Sequence, residues 1–139
     1  MSKNILFITP GLDVGGAERQ LTLLASDMSR RGHRPTIICL SNLPAERRKT
    51  NSDLFSVNVV ELRKSPKFLI DFCRLILVTK ALKPDVIQGW MYIGNIVATF
   101  VALFLRKPLF HSLRASNMDL ERYWWQIKLN QLLSPLAKK

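Results

Sequence analysis

Two adjacent glycines, Gly15 and Gly16, separate an apolar run at residues 5–9 from an amphipathic segment. Glycine has no Cβ, so the backbone there can come within hydrogen-bonding distance of a ligand. The first N–H groups of a helix lack partners inside the helix, and the positive end of its dipole favours an anion. The pattern predicts a site for phosphate or carboxylate, with Glu18 in the same turn. A plain turn that packs the helix on a sheet is the alternative.

The glycine spacing argues against two common phosphate-binding sites. A dinucleotide fingerprint needs Gly-x-Gly-x-x-Gly, whereas Gly11 and Gly15 are four residues apart and the third glycine is missing. The chain also has no Gly-x-x-x-x-Gly-Lys followed by Ser or Thr. We therefore disfavour a nucleotide-cofactor dehydrogenase and a P-loop NTPase.

Trp90, Tyr92 and Asn95 follow a short predicted strand at residues 85–88. The two aromatic rings offer flat faces to a sugar, and an amide can both donate to and accept from hydroxyl groups. These residues are therefore candidates for contacts with a sugar ring. The alternative, equally open from the residues alone, is that the aromatics belong to the core and that Asn95 caps a helix.

Arg114 follows the last predicted strand, and its guanidinium has the planar geometry that suits phosphate or carboxylate. His111 lies on that strand and His33 follows a helix stop at Gly32, and we expect both histidines to be structural. The residues alone therefore name no catalytic group. Two distant histidines and isolated carboxylates also predict no metal site.

Strand-like and helix-like patterns alternate along the chain, which predicts a Rossmann-like α/β fold. We expect a doubly wound parallel sheet of about five strands in the order 3-2-1-4-5. Ligands of such sheets bind outside the carboxyl ends of the strands, where the strand order reverses. The loops expected at that edge are residues 10–16, 89–95 and 114–119. The tail is predicted to be a helix with two apolar stripes, formed by Leu120, Trp124 and Ile127 and by Trp125, Leu129 and Leu132.

Composition fits one folded domain over residues 1–139, with 47% hydrophobic residues. Its formal net charge of +11 favours nucleic acid, anionic lipid or phosphorylated substrates as partners.

Cys39 and Cys73 form no Cys-x-x-Cys pair, and we expect both to be core residues in a reducing cytosol. The most apolar window, residues 93–105, is shorter than the roughly 20 residues of a membrane span. No signal peptide is visible, so the expected location is cytoplasmic.

Three segments resemble family 4 glycosyltransferases of the GT-B architecture. They are Pro-Gly-x-x-x-Gly-Gly-Ala-Glu-Arg at residues 10–19, the Trp-Met segment at 84–95, and the strand and loop at 108–117. The resemblance implies a retaining sugar transferase in which Gly15, Gly16 and Glu18 face the cleft for donor phosphate and acceptor. It also implies acceptor contacts at Trp90, Tyr92, Asn95 and Arg114. Many members carry a histidine where this chain has Arg114, so a catalytic histidine is not carried over.

The resemblance further implies a nucleotide-sugar donor, a glycan or lipid-linked acceptor, and a role in surface polysaccharide synthesis. It implies no metal, because the Asp-x-Asp motif of GT-A enzymes is missing. It covers the amino-terminal half of such an enzyme, so we expect a truncated, inactive piece without the donor-binding domain. The alternative is a basic, non-catalytic Rossmann-like module that binds nucleic acid or another anion. No nucleic-acid motif is present, so nucleic acid is not the expected partner.

Basic and apolar residues also meet at the start of the helix predicted after residue 65. This combination suits peripheral attachment to an anionic membrane surface. The alternative is that the apolar side chains are buried against the sheet. The residues concerned are Arg63, Lys64, Lys67, Phe68, Leu69 and Phe72.

Overall fold

The computed structural model describes residues 1–12, 15–41, 54–62, 66–113 and 124–137. Strands and helices alternate over most of this length. The strands are β1 (Asn4–Thr9), β2 (Arg34–Cys39), β3 (Ser56–Val59), β4 (Val86–Trp90) and β5 (Leu109–Ser112). The helices are α1 (Gly16–Arg30), α2 (Phe68–Leu82), α3 (Met91–Leu105) and α4 (Trp124–Leu133), and a short 3₁₀ turn follows at Ser134–Leu136.

The five strands form one parallel sheet in the order β3-β2-β1-β4-β5. This confirms the predicted Rossmann-like α/β class and strand order. Strand β1 lies at the centre, between β2 and β4, so the order of the strands reverses there. The carboxyl ends of β1 and β4 therefore border the position at which open α/β sheets bind ligands.

Both faces of the sheet are covered, which explains the continuous apolar run in β1. Leu6 and Ile8 point into a core shared with α2 and α3. Phe7 points to the opposite face, where it packs with Leu21 and Ala25 of α1. The side chains alternate because successive residues of a strand face opposite sides of the sheet.

Helix α1 follows the sequence pattern closely at both ends. It begins at Gly16 and ends at Arg30, and Gly32 has a φ of +83° two residues later. Glycine adopts this left-handed conformation without steric cost, so it ends the helix as predicted. The sequence predicts a polar loop at residues 41–56, and its residues 42–53 lie outside the described residues, while Ser56 already begins β3.

The junction between β4 and α3 differs from the prediction. Residues 89–95 were expected to form a loop, but β4 continues to Trp90 and α3 begins at Met91. Met91 has a φ of +62°, a conformation that residues with a side chain rarely adopt. The prediction was wrong because the chain turns within a single strained residue, which periodicity does not reveal.

Helix α4 packs against α3 through a face that overlaps the predicted apolar stripes only in part. Trp124, Trp125 and Leu132 are all exposed, whereas Gln126, Asn130 and Leu133 are buried. Ile127 and Leu129 of these stripes are half-buried, so the stripes identified the inward face only in part. The cause is that the buried Asn130 hydrogen-bonds to backbone carbonyl groups, so the helix turns that amide inward.

The two cysteines have different environments. Cys39 is buried in β2, as predicted, whereas Cys73 is exposed on α2, so its assignment to the core was wrong. The sequence pattern does not show which side of α2 packs on the sheet, so it could not decide whether Cys73 is buried or exposed. Among the described residues, no helix is both long and apolar enough to cross a membrane.

Candidate functional site

The β1–α1 junction presents exposed backbone at the carboxyl edge of the sheet. Gly15 is the N-cap of α1, with φ −140° and ψ 165°, and no side chain caps the helix by a hydrogen bond. Both glycines are exposed, and a Cβ added to Gly16 would meet no atom within 4 Å. This helix terminus is therefore open to a ligand, as the predicted anion site requires.

Glu18 occupies the positive end of α1. It is the third helical residue, and its carboxylate group folds back towards the N-cap, since a Cβ on Gly15 would lie 3.1 Å from Glu18 Cδ. A carboxylate at this position is stabilised by the helix dipole. An incoming phosphate group would compete with Glu18 for the same end of the helix, and the flexible side chain can swing away.

Trp90 lies at the end of β4 with no exposed surface. Its indole N–H donates a hydrogen bond of 3.1 Å to the carbonyl oxygen of Ala17. The ring therefore has no face open to a sugar, and we remove Trp90 from the residues that contact an acceptor. The hydrogen bond from Trp90 to Ala17 joins the end of β4 to the first turn of α1.

Gly89 and Gly94 let α3 approach the sheet closely. A Cβ on Gly89 would lie 2.5 Å from Asn95 Cα, and one on Gly94 would collide with the carbonyl oxygen of Ile8. The same Cβ of Gly94 would lie 3.4 Å from Pro10 Cδ. These contacts place α3 directly against β1 and against the start of the loop that leads to the exposed glycines.

Asn95 is completely buried, and it is the fifth residue of α3 rather than its N-cap. Its Oδ1 accepts a hydrogen bond of 3.2 Å from the N–H of Ser112, and its Nδ2 donates to the Ser112 carbonyl oxygen at 3.4 Å. The amide thus pairs with the backbone at the end of β5. It positions that strand against α3 and, being completely buried, has no surface open to a substrate in this arrangement.

His111 joins the same network through Thr99. Its Nε2 lies 2.8 Å from Thr99 Oγ1, and this hydroxyl also lies 2.8 Å from the carbonyl oxygen of Asn95. Burial lowers the pKa of His111 from its ordinary value of 6.5, because the charged ring loses solvation. The ring is therefore mainly neutral at pH 7, with a structural hydrogen bond as predicted. His33 accepts a 3.3 Å hydrogen bond from the backbone N–H of Lys3, far along the chain from these residues.

Tyr92 is half-buried at the start of α3 and lines a cavity beside α4. It remains a candidate contact for an acceptor. Arg114, the predicted cation of the site, lies outside the described residues, as do Arg63 and Lys64. Lys67 immediately precedes α2 and is exposed.

The structure thus joins the predicted segments through backbone and core contacts. Trp90 contacts the first turn of α1, Gly94 contacts β1, and Asn95 contacts the end of β5. The arrangement can bind an anion at α1, but the described residues show no nucleophile paired with a base. Among these residues, no group of His, Cys, Asp or Glu is arranged to hold a metal ion.

The sequence interpretation missed three polar residues that shape this region: Thr99, Gln126 and Asn130. All three are buried. A polar residue within an otherwise apolar helical stripe is the pattern that could have pointed to them, since such residues are buried only when they find partners.

Comparisons with known structures agree on the fold. MurG from Acinetobacter baumannii superposes with a TM-score of 0.69 at 14% identity, covering 98% of this chain and 40% of MurG. HepE from Anabaena, solved with UDP-glucose, gives a TM-score of 0.69 at 16% identity, covering 92% of this chain and 35% of HepE. A putative UDP-N-acetylglucosamine 2-epimerase from Listeria monocytogenes gives a TM-score of 0.64 at 15% identity, covering 99% and 38%.

At such low identity these similarities establish the fold alone, that of the amino-terminal domains of GT-B enzymes. The chain spans 40% or less of the length of each of these three proteins. A comparison with curated protein sequences found no match. A sequence model described as Glycosyltransferase Family 4 matches residues 14–138, which is most of the chain. The chain therefore belongs to the family that this model describes, Glycosyltransferase Family 4.

Proposed function

We propose that this chain is the acceptor-side domain of a retaining glycosyltransferase. The enzyme would transfer a sugar from a nucleotide-sugar donor to a glycan or lipid-linked acceptor in surface polysaccharide synthesis. The match to Glycosyltransferase Family 4 over residues 14–138 carries the proposal. The epimerase neighbour has the same fold, so the fold alone does not separate sugar transfer from epimerisation. Membership in the family favours transfer.

The exposed backbone at Gly15 and Gly16 supports a role in holding the donor's diphosphate. Free N–H groups and the dipole of α1 stabilise negative charge that moves to the leaving nucleotide during transfer. HepE, which shares the fold, was solved with UDP-glucose, and this agrees with a nucleotide-sugar donor. The nucleotide sugar is a substrate here, and the proposal includes no metal or other cofactor. Tyr92 and Arg114 would contact the acceptor.

The test uses the native polypeptide from its own gene, whose length is measured first. It is incubated with a panel of labelled nucleotide sugars and with lipid and glycan acceptors. We expect one donor to label an acceptor, with the configuration at the transferred carbon retained. If the native polypeptide binds and transfers no sugar from a broad panel, the proposed function is wrong.

A matched pair of variants locates the donor site. Gly16→Val places a branched side chain where the structure is open, whereas Gln20→Ala changes an exposed residue of the same helix. We expect Gly16→Val to lower the transfer rate by roughly tenfold or more, since a misplacement of about 1 Å can cost about 100-fold. Gln20→Ala should retain the parent rate. Equal rates for both variants would remove Gly16 from the donor site.

We also propose reversible attachment to an anionic membrane surface. Phe68 and Leu69 are 46% and 72% exposed, so these two side chains are not buried against the sheet. Phe72 is half-buried and stacks on Phe68 with ring centroids 6.1 Å apart. The exposed Lys67 lies beside them. Each basic residue near such a surface contributes about 1 kcal/mol, which supports reversible binding.

Co-sedimentation with vesicles tests the attachment. We expect binding to anionic vesicles and none to neutral vesicles, with binding lost when Arg63, Lys64 and Lys67 are replaced by Glu. The matched control replaces the exposed residues Arg30, Arg34 and Lys80 by Glu, which gives the same change in charge. Equal loss in both triple variants would mean that net charge alone causes the binding, and no binding to either vesicle would exclude attachment.

A further inference from the structure

A cavity of about 450 Å³ lies between the first turn of α3, the end of β5 and helix α4. Its volume falls within the range of about 300–1,000 Å³ that is typical of small-ligand sites. The described residues that line it include no Lys, Arg, Asp or Glu. Six of them matter here: Tyr92, His111, Leu113, Ile127, Asn130 and Ser134.

Asn130 contributes a buried hydrogen-bond acceptor that has no partner. The residue is 4% exposed, and its Nδ2 donates to the carbonyl oxygens of Tyr92 at 3.0 Å and Gln126 at 2.9 Å. These two bonds fix the amide, because the flipped orientation would set Oδ1 against two other oxygen atoms. Oδ1 is buried without a hydrogen-bond partner. An unpaired buried acceptor costs about 1–3 kcal/mol, so a donor group that reaches Oδ1 after a small shift of the surrounding side chains would recover stability.

His111 contributes a second acceptor. The Thr99 hydroxyl has one hydrogen, which it donates to the carbonyl oxygen of Asn95, so it accepts from Nε2–H of His111. A neutral ring with its hydrogen on Nε2 has a free lone pair on Nδ1. The lining therefore includes Asn130, whose Oδ1 is buried without a partner, and His111, whose Nδ1 has a lone pair, beside the apolar side chains of Leu113 and Ile127.

We propose that this cavity binds one neutral, polyhydroxylated sugar unit of the acceptor. One sugar hydroxyl donates to Asn130 Oδ1 and another donates to His111 Nδ1, while Leu113 and Ile127 pack against the C–H groups. An anion such as phosphate is disfavoured, because it brings acceptors to a site whose own groups are acceptors. The identification of the occupant as an acceptor unit rests on the proposed function.

The test is an NMR titration of the 139-residue chain with neutral sugars. The probes are the methyl glycosides of glucose, mannose and galactose, and N-acetylglucosamine, with inorganic phosphate as the anionic comparison. We expect at least one sugar to shift the side-chain amide signal of Asn130 and the ring signals of His111 in a saturable manner. Phosphate should leave these signals unchanged.

Variants decide whether the cavity is responsible. Asn130→Ala should weaken sugar binding at least tenfold, which corresponds to about 1.4 kcal/mol. Asn58→Ala, on β3 and outside the cavity lining, should bind as the parent does. Ile127→Phe fills the cavity and removes no hydrogen bond, so it tests whether the cavity binds the sugar even if Asn130→Ala does not fold. Its binding should also fall at least tenfold.

Three results would overturn the inference. The first is that no sugar gives saturable shifts, as expected if only water fills the cavity. The second is that a folded Asn130→Ala or Ile127→Phe variant binds sugar as the parent does. The third is that phosphate binds in preference to the sugars. Failure of the native polypeptide to transfer any sugar would overturn the proposed function and leave a positive titration intact. A negative titration with active transfer would overturn only the assignment of this cavity.

Discussion

Two strand-to-helix junctions lie side by side at the carboxyl edge of the sheet, and they are built in opposite ways. Between β1 and α1 the chain runs through residues 10–15 before the helix starts. Between β4 and α3 no residue intervenes, and Met91 turns the chain with a φ of +62°. The first junction is open to solvent at Gly15 and Gly16, whereas the second is packed into the molecule.

The glycines of the two junctions show the difference. A Cβ on Gly16 would meet nothing within 4 Å, whereas a Cβ on Gly94 would collide with the backbone of β1. One glycine leaves space for a ligand, and the other lets two elements approach closely. The same residue type therefore leaves space in one junction and allows close packing in the other, so a glycine in a sequence pattern does not by itself mark a binding site.

The polar groups also differ between the open and the packed junction. At the open junction, no side chain caps the start of α1 by a hydrogen bond, so backbone donors remain for a ligand. At the packed junction, the Asn95 amide pairs with the backbone of Ser112 in both directions. The polar groups of the packed junction are therefore paired within the protein, whereas the start of α1 has no side-chain partner for its backbone N–H groups.

The largest expected effect is that of Gly94→Ala. Alanine favours the helix by about 1 kcal/mol over glycine, but its Cβ would collide with the carbonyl oxygen of Ile8, in the central strand. Overpacking of this kind typically costs about 1–3 kcal/mol, and the central strand cannot move aside, so we expect a net loss of about 2 kcal/mol. Urea unfolding followed by circular dichroism measures the change. A variant as stable as the parent would show that α3 is not pressed against β1.

Gly16→Ala is expected to have a smaller effect of opposite sign. Its φ lies outside the left-handed region, and the space around it is empty, so alanine fits without strain. The unfolded chain loses conformational freedom, which should stabilise the fold by about 0.4–1 kcal/mol. The same urea experiment measures it. Destabilisation here would mean that the two junctions are equally packed, and the contrast between them would fail.

The smallest expected effect is the pH dependence from His111. Its pKa is lowered in the folded state, so the unfolded chain binds a proton more readily. The free energy of unfolding should therefore fall as the pH drops through the unfolded value of about 6.5, and it should be highest above that pH. His111→Gln removes the titration, so its stability should fall less between about pH 7.5 and about pH 5.5. If the parent and His111→Gln lose the same free energy of unfolding between these two pH values, His111 is not a source of the pH dependence.

The strand order and the glycine pair between β1 and α1 could be predicted from the sequence. Continuous apolar runs in the strands and a 3.6-residue period in α1 are local features, and Gly32 ends that helix through its own backbone preference. The assignment of Trp90 and Asn95 could not be settled in this way. An indole ring and an amide suit a sugar or a core equally well, and their partners, Ala17 and Ser112, are distant in sequence.

Residue types, their spacing and the alternation of strands and helices determined the sheet, the exposed glycines after β1 and the family resemblance. These depend on local backbone preferences and on hydrophobic periodicity, which the sequence contains directly. Only the tertiary structure decided which polar side chains are buried and which face of α4 is inward. A buried amide such as Asn130 is stable only beside specific carbonyl groups, and its partner on Tyr92 lies 38 residues away in the chain. Such partners become neighbours only when α3 and α4 pack together.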